Sequence, residues 1–305
     1  MSPLPKVGFV GAGVMGLPMA RRLQAAGHPL AVYARTPGKA AVLTRAGAAL
    51  AESPAQLAAS SDVIIGCLLD EDAAREVYLG PRGMASAIRT GHLIIEHGTF
   101  APDAARAIAE HATTHGADFV DAPVTGGPQR ARDGELVCMA GGRADAVDTA
   151  RTLLSAYCRD LVHVGPAGTG LELKLVNQLL VTVHVAAAAE AAALLGRLGL
   201  PAGLAKSVLM SGWAASAMLD HCLPAALTPD TASAEATVGG LSAVQNAVAA
   251  LTETHGLSLR VFPAARDAFS RLTASGAGDH DLAQLARIFD PADGAPPPLE
   301  TTEAY

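Results

Sequence analysis

The feature that most constrains the fold is an alternation of short apolar runs with alanine-rich helical segments in the first half of the chain. The apolar runs are residues 6–11, 29–33, 62–68, 92–96 and 118–121. The helical segments between and after them are residues 15–26, 37–46, 70–78 and 102–115. Strands that alternate with helices of this length predict βαβ units and a parallel sheet.

The second half has a different texture, because strand signals largely disappear after residue 165. A long alanine- and leucine-rich segment without proline covers residues 171–198, and further helical segments follow at 201–210, 233–255, 262–275 and 281–289. We therefore predict an α/β domain over residues 1–164 and an all-helical substrate and oligomerisation domain over residues 165–290. The last stretch, 291–305, is rich in proline and acidic residues and is predicted to be a disordered tail.

A glycine-rich turn, GAGVMG at residues 11–16, comes directly after the first apolar run and opens the first helix. In that context Gly11 permits a tight turn, Gly13 lets a pyrophosphate approach the backbone, and Gly16 lets the helix pack closely. The helix N-terminus then offers backbone N–H groups to the anion. This pattern predicts a Rossmann-type, doubly wound sheet that binds a dinucleotide. The predicted contacts are Gly11, Gly13, Val14, Met15 and Gly16.

The end of the second strand indicates which dinucleotide is bound. Sites that prefer NAD usually carry an acidic residue there to hold the ribose hydroxyls. This chain has Arg35 and Thr36, with Lys39 slightly further on. An arginine at this point suits a 2′-phosphate, which it holds through paired hydrogen bonds. We therefore predict NADP(H), with NAD(H) as the alternative.

Composition excludes several classes of protein. Half of the 305 residues are hydrophobic, which excludes general disorder, and the net charge of −7 does not favour a nucleic-acid partner. The longest apolar run, residues 179–189, is too short for a membrane span, and no signal-peptide core precedes the first strand, so we expect a cytoplasmic protein. The cysteines are widely spaced and predict free thiols without a metal site. They are Cys67, Cys138, Cys158 and Cys222.

Two further motifs, with the glycine turn, establish a family resemblance. Residues 121–127 read DAPVTGG and run on to Gly134, Leu136, Met139 and the Gly141-Gly142 pair. The third motif comprises Gly165, Gly168, Gly170, Lys174, Asn177 and Gln178. From about residue 6 to 290 the chain resembles the β-hydroxyacid dehydrogenases, which include 3-hydroxyisobutyrate and tartronate-semialdehyde reductases. Within that family, residues 178–195 are most similar to the L-threonate dehydrogenase branch.

The resemblance implies roles for the second motif and for the loops that follow two strands. Thr125, where the family usually has serine, offers a hydroxyl to the substrate carboxylate, and Gly126 and Gly127 offer backbone N–H groups. It also implies cofactor contacts at Leu68 and Thr99. The family serine before Thr99 is replaced by Gly98.

The third motif implies the proton-transfer chemistry. The resemblance implies that Lys174 is the general acid/base. A lysine in an apolar helix is also costly to bury unless it has a role or a partner. Asn177 and Gln178 follow at i+3 and i+4, on the same helical face. The family commonly has asparagine at i+4, where this chain has Gln178. We predict that Asn177 is catalytic and that Gln178 assists in binding substrate.

Other positions depart from the family pattern. A Lys-Asp pair expected on a late helix is replaced by Gly239-Gly240, or by Ala243-Val244 in a shifted pairing, and Arg130 stands where the family has glycine. These changes leave three readings open: compensation elsewhere, including Arg130 facing an acidic substrate; a larger or less polar substrate; or a weakened enzyme. His97 adds a titratable ring near the predicted site, although a packed or solvent-facing histidine is the favoured reading.

The resulting hypothesis is an NADP(H)-dependent dehydrogenase that acts on a small 3-hydroxy acid or the corresponding semialdehyde or keto acid. The alternatives are an imine reductase-like enzyme and an NADP(H)-binding sensor with weak catalysis. The apolar long helix and alanine-rich second domain predict a homodimer or homotetramer.

Overall fold

A computed structural model describes residues 3–227 and 236–289. The chain divides into two compact units, residues 1–176 and 177–305. The predicted boundary between residues 164 and 165 stays a prediction: it lies just before a long helix, and the first turns of that helix belong to the first unit. The predicted tail, 291–305, lies outside the described residues.

The first unit is built on one nine-stranded sheet. Its strands are β1 (Val7–Val10), β2 (Leu30–Tyr33), β3 (Ala49–Leu50), β4 (Val63–Gly66), β5 (Leu93–Glu96), β6 (Asp118–Asp121), β7 (Val124–Thr125), β8 (Leu136–Gly141) and β9 (Cys158–Gly165). The spatial order is β3-β2-β1-β4-β5-β6-β8-β7, with β9 also paired to β8. Every pair among β1 to β6 is parallel, and the order reverses at β1, as a doubly wound sheet requires.

The helices of the first unit begin and end at the signals in the sequence. They are α1 (Gly16–Ala25), α2 (Ala41–Arg45), α3 (Pro54–Ala59), α4 (Glu71–Leu79), α5 (Pro102–Thr114), α6 (Gly127–Asp133) and α7 (Ala144–Leu154), with 3₁₀ turns at Pro37–Ala40 and Ala85–Ala87. Ser53 caps α3 by accepting a hydrogen bond from the backbone N–H of Gln56, and Asp70 caps α4 in the same way at Ala73.

Both faces of the central strands β1, β4 and β5 are buried, which explains why these strands read as continuous apolar runs. Val7 and Phe9 of β1 belong to one apolar core, whereas Val10 belongs to another. Neighbouring strands alternate in the same way, since Ile65 lies in the first core and Ile64 in the second. Helices cover both sides of the sheet.

The sheet departs from the predicted parallel arrangement after β6. Strand β8 pairs antiparallel with β6 and with β7, and only β9 runs parallel to β8. The physical reason is the short β7–β8 connection: residues 126–135 are fewer than the dozen or more that a parallel crossover needs, whereas residues 142–157 between β8 and β9 hold helix α7 and allow a parallel pair. Gly126 at φ +133° and Gly134 at φ +82° turn the chain at the two ends of α6.

The described part of the second unit is helical, apart from one β-bridge between Thr237 and Asp281. The long helix α8 (Thr169–Leu198) enters it and is followed by α9 (Ala202–Met210), α10 (Ala217–Leu227), α11 (Val238–Thr254) and α12 (Val261–Ala274). Helix α10 was not expected from the sequence, since Pro224 lies inside it. The final predicted helix is a 3₁₀ helix, Leu282–Phe289. The α/β fold followed by an all-helical domain is thereby confirmed.

Helix α8 is long and apolar enough, by length and composition, to cross a membrane, and about a quarter of its most apolar window is buried. Core helices of globular domains meet the same criteria, so the helix alone does not indicate a membrane protein. The four cysteines are free thiols, and three of them are buried.

Candidate active site

The glycine turn has the geometry that a dinucleotide phosphate needs. Gly11 has φ +92°, and a Cβ there would overlap the carbonyl oxygen of Cys67. A Cβ at Gly16 would overlap the carbonyl oxygen of Gly11. At Gly13, by contrast, no atom lies within 4 Å of where a Cβ would stand. Two glycines therefore allow close backbone packing, and the third leaves the turn open to a ligand.

The N-terminus of α1 is also open to an anion. No side chain caps it, and its first turn carries no acidic residue. Val14 is exposed and Met15 is half-buried at this end of the helix. The uncapped N–H groups and the helix dipole both favour a negative charge here. The residues present thus fit the phosphates of a dinucleotide.

Arg35 and Thr36 follow the last residue of β2, and both are exposed. Because β2 lies parallel to β1, they stand at the same edge of the sheet as the glycine turn. Lys39 is exposed one turn further on. Among the described residues, Arg35 makes no hydrogen bond or ion pair, so its guanidinium is available to a ligand.

The structure brings together the two strand-end loops predicted to contact the cofactor. Leu68 and Thr99 follow β4 and β5, and both are half-buried. A buried carboxylate that the sequence analysis missed, Glu96, joins them: it accepts hydrogen bonds from the backbone N–H groups of Leu68 and Gly98. The sequence pattern that could have indicated Glu96 is an apolar strand that ends in an acidic residue.

The predicted carboxylate-binding loop follows β7. Thr125 is half-buried, and Gly126 and Gly127, at φ +133° and +74°, lead into α6. The stem of Arg130 packs against Gly126, where an added Cβ would lie 2.9 Å from the arginine Cδ. The positive φ of both glycines suits a small anion nest, in which successive backbone N–H groups face one concavity.

Lys174 lies in the second turn of α8 and is 9% exposed. Burial lowers the pKa of its ammonium from 10.5 to about 8. The amine therefore changes charge within the range where an acid/base group works well. Asn177 and Gln178 follow on the same helix and are half-buried; both belong to the second unit.

A second buried carboxylate, whose role the sequence analysis did not assign, holds the start of α8. Asp121, the last residue of β6, accepts hydrogen bonds from the backbone N–H groups of Gly168 and Leu171. Burial raises its pKa from 3.8 to about 7, although these hydrogen bonds oppose the rise. Gly141 and Gly170 leave room for it, since a Cβ at either position would stand within 3 Å of a carboxylate oxygen of Asp121.

His97 is a packed residue rather than an exposed acid/base group. Its Nδ1 lies 2.6 Å from the carbonyl oxygen of Ala122, and its Nε2 lies 2.8 Å from the hydroxyl of Tyr157. Burial lowers the pKa of His97 to about 4, so the ring is neutral at physiological pH. The favoured packed reading agrees with this geometry.

Both candidate positions of the missing Lys-Asp pair, Gly239-Gly240 and Ala243-Val244, lie in α11. Thr237 caps that helix by accepting a hydrogen bond from the N–H of Gly240. Gly239 donates its N–H to the carbonyl oxygen of Gly278, and a Cβ at Gly239 would lie 3.0 Å from that oxygen. In the first of these pairings, close backbone packing stands where the resemblance implies a lysine. Among residues 3–227 and 236–289, no group of three or more His, Cys, Asp or Glu side chains is placed to hold a metal ion.

Two family models match this chain, one in each half. Residues 6–165, more than half of the chain, match the model for the NAD binding domain of 6-phosphogluconate dehydrogenase. Residues 168–289 match the model described as NAD-binding of NADP-dependent 3-hydroxyisobutyrate dehydrogenase. The mitochondrial 3-hydroxyisobutyrate dehydrogenase of Mus musculus is 38% identical over 212 residues, which cover 69% of this chain and 63% of that protein. The match thus spans less than two thirds of that relative.

Solved structures extend the likeness over nearly the whole chain. The structure of Psf3 in complex with NADP+ and 2-OPP is 28% identical with a TM-score of 0.87, and covers 93% of this chain and 100% of that one. The Mycobacterium tuberculosis 3-hydroxyisobutyrate dehydrogenase with L-serine is 25% identical with a TM-score of 0.84, at 93% and 99% coverage. An imine reductase from Pseudomonas sp. is 21% identical with a TM-score of 0.61, at 94% and 100% coverage, and shares the fold alone. With the glycine turn, the DAPVTGG loop and the lysine helix in place, the matched models show that the chain belongs to the β-hydroxyacid dehydrogenase family.

Proposed function

We propose that this protein is an oxidoreductase that interconverts a small 3-hydroxy acid and the corresponding semialdehyde or keto acid with NADP(H). The observation that carries the proposal is Lys174, which is buried in the second turn of α8 with its pKa lowered to about 8. An amine of that pKa exchanges a proton readily at neutral to mildly alkaline pH.

The protein's own residues bind, orient and transfer the proton. When bound, the nicotinamide accepts or supplies the hydride. Neutral Lys174 accepts the proton of the substrate hydroxyl during oxidation, and its ammonium returns a proton to the carbonyl oxygen during reduction. Asn177, one turn later on the same helix, orients the reacting group, and Gln178 assists it.

The substrate carboxylate is assigned to the loop after β7. The hydroxyl of Thr125 and the N–H groups of Gly126 and Gly127 form the proposed contacts, supported by the positive φ of both glycines. The methyl of Thr125, absent from the family serine, narrows the space next to the carboxylate.

The preference for NADP(H) over NAD(H) is assigned to the exposed group that follows β2. Arg35 is the proposed 2′-phosphate ligand, because it has no partner among the described residues and no carboxylate accompanies it. Thr36 adds a hydroxyl donor, and Lys39 adds positive charge nearby.

An NADP(H)-binding sensor with weak catalysis is the second candidate. It is favoured by one specific observation, the absence of the family Lys-Asp pair at both candidate positions, Gly239-Gly240 and Ala243-Val244. We favour hydroxy acids over imines as the substrate class, because the chain keeps both Lys174 and the Thr125 loop. The three candidates differ in whether turnover occurs and on which substrate class.

The deciding experiment follows NADPH absorbance with a panel of 3-hydroxy acids, small semialdehydes and cyclic imines. Turnover of a hydroxyacid or semialdehyde that is lost in Lys174→Ala, but kept in the more exposed control Lys206→Ala, would support the dehydrogenase. Turnover of imines alone would replace it with the imine reductase. NADPH binding without any turnover would favour the sensor.

We further propose that the protein is a cytoplasmic homodimer or homotetramer. Several large apolar side chains of the second unit are more than half exposed, and such surface on a protein in water usually pairs with another subunit. They are Leu194, Leu198, Leu204, Val208 and the single tryptophan, Trp213. Light scattering should give a multiple of the 30.8 kDa chain mass; a monomer would overturn this assignment.

A further inference from the structure

Glu96 is a buried carboxylate for which the proposed reaction has no use. It is the last residue of β5 and pairs in register with Gly66, the last residue of β4. Only 1% of its surface is exposed. A carboxylate buried to this extent is costly unless hydrogen bonds satisfy it, so its contacts should reveal its role.

One oxygen of this carboxylate joins two separate loops. Its Oε1 accepts the backbone N–H of Leu68, at 3.1 Å, and of Gly98, at 2.5 Å. Leu68 belongs to the loop after β4, whereas Gly98 belongs to the loop after β5. The second oxygen, Oε2, accepts the hydroxyl of Tyr78 in α4 at 2.6 Å. The side chain therefore ties two strand-end loops to each other and to a helix.

Two glycines provide the space that this arrangement needs. A Cβ at Gly98 would lie 2.7 Å from Oε1 of Glu96 and 2.6 Å from the carbonyl oxygen of Leu68. A Cβ at Gly66 would overlap both Oε2 of Glu96 and the hydroxyl of Tyr78. Gly98 is also the position where the family usually carries serine. A side chain at that position is incompatible with the observed spacing of the two loops.

We propose that Glu96 is a positioning residue for the dinucleotide. Its carboxylate fixes the distance between the Leu68 loop and the Gly98–Thr99 loop at the edge of the sheet where the glycine turn lies. Loops fixed in this way before binding lose little freedom when a ligand arrives, which strengthens binding. The inference rests on the proposed cofactor contacts of Leu68 and Thr99.

Binding of NADPH by the purified full-length protein, measured by titration calorimetry, tests this role. Glu96→Ala removes the acceptor shared by both loops and should raise the Kd about tenfold or more. Glu96→Gln should stay within about threefold of wild type, because its amide oxygen accepts both N–H groups and the tyrosine hydroxyl accepts its NH₂. The matched control Tyr78→Phe removes only the Oε2 contact and should also stay within about threefold.

A second readout does not depend on the cofactor. Hydrogen exchange of the free protein should show the amides of Leu68 and Gly98 protected in wild type and in Tyr78→Phe, but faster in Glu96→Ala. A folded Glu96→Ala protein with wild-type Kd and exchange would overturn the proposal. So would a Tyr78→Phe variant that loses as much affinity, since general destabilisation would then explain both.

Gly98→Ala decides the question if Glu96→Ala does not fold. Its Cβ should push the loops apart and weaken NADPH binding while Glu96 is still present, and an unchanged Kd would overturn the proposal. Failure of the proposed function would look different. Wild type would then bind neither NADPH nor NADH, or would bind NADPH without turning over a hydroxy acid or semialdehyde. Failure of this inference leaves wild-type binding and turnover intact and the Kd of the variants unchanged.

Discussion

The carboxylate of Asp121 and the backbone N–H of Leu171 lie 2.9 Å apart, across fifty residues of sequence. The other oxygen of Asp121 accepts the N–H of Gly168 at 2.7 Å. Together these contacts attach the first turn of α8 to the end of β6, one turn before Lys174. The position of the proposed acid/base group is therefore set by β6, the last strand of the parallel part of the sheet.

Asp121→Asn tests this attachment. The amide provides only one acceptor oxygen, so one buried N–H loses its partner, and the free energy of unfolding should fall by about 1–3 kcal/mol. Turnover should fall as well, because the start of α8 shifts. Urea unfolding and steady-state kinetics measure the two effects, with the exposed Asp148→Asn as the control.

Asp121 also predicts a pH dependence of stability. Its pKa is raised from 3.8 to about 7 in the folded protein, so between these values the folded state binds more protons than the unfolded state. Its contribution to stability is full below pH 3.8 and is lost as the pH rises through about 7. Urea midpoints from pH 4.5 to 7.5 should show this decline in wild type and a flatter profile in Asp121→Asn. Equal slopes in the two proteins would contradict the assignment.

The lowered pKa of Lys174 predicts opposite pH profiles for the two directions of reaction. Oxidation needs the neutral amine, so its kcat/KM should rise with pH through about 8. Reduction needs the ammonium, so its kcat/KM should fall over the same range. Initial rates measured from pH 6 to 10 in each direction of the reaction check both pH profiles. If any residual activity of Lys174→Ala kept the same inflection, another group would be responsible.

Arg35→Ala should change the choice of cofactor. A charge-assisted hydrogen bond contributes about 1.5–3 kcal/mol, so the Kd for NADPH should rise about 10- to 100-fold while the Kd for NADH changes little. Fluorescence titration with each cofactor measures the ratio. Arg45→Ala removes an exposed positive charge from the neighbouring helix α2 and should leave both affinities unchanged. Equal weakening of NADPH and NADH in Arg35→Ala would indicate adenine stacking instead.

Gly13→Ala should separate binding from folding. No atom lies within 4 Å of the added methyl, so the melting temperature should stay close to wild type. The methyl stands where the turn is open to phosphate, so the affinity for NADPH should fall by about tenfold or more. Gly11→Ala, with φ +92° and the Cys67 carbonyl in the way, should instead lower the melting temperature strongly.

The strands and helices around the parallel sheet were predictable, because their signals are local. Apolar runs such as residues 62–68 are continuous since both faces of β4 are buried, and Ser53 marks the start of α3. The segment between β6 and β9 was not predictable in the same way. Its first strand, Val124–Thr125, has only two residues, which is too short for hydrophobic periodicity to develop.

The candidate site divides along the same line. Gly11, Gly13 and Gly16 could be assigned from one turn, because their geometry depends on neighbours in sequence. Glu96 and Asp121 could not, because their roles depend on backbone N–H groups 28 and 50 residues away. The sequence shows each as an acidic residue at the end of an apolar run, and Asp121 also as the first residue of the DAPVTGG motif, but it does not show which N–H groups they accept. The roles given to Lys174, Thr125 and their neighbours stay predictions until the experiments above are made.

The assignment of alternate strand residues to two separate cores has a consequence for laboratory evolution of this protein. Inserting or deleting one residue within β1 or β4 would turn the side chains of each core toward the other core. Libraries of such insertions and deletions should therefore yield mostly unfolded clones. Arg35, Thr36 and Lys39 lie beyond the end of β2 and are exposed, so replacing them at random should leave the fold intact. Selection for a new cofactor or substrate should therefore accumulate changes in the loops and leave the strands almost untouched.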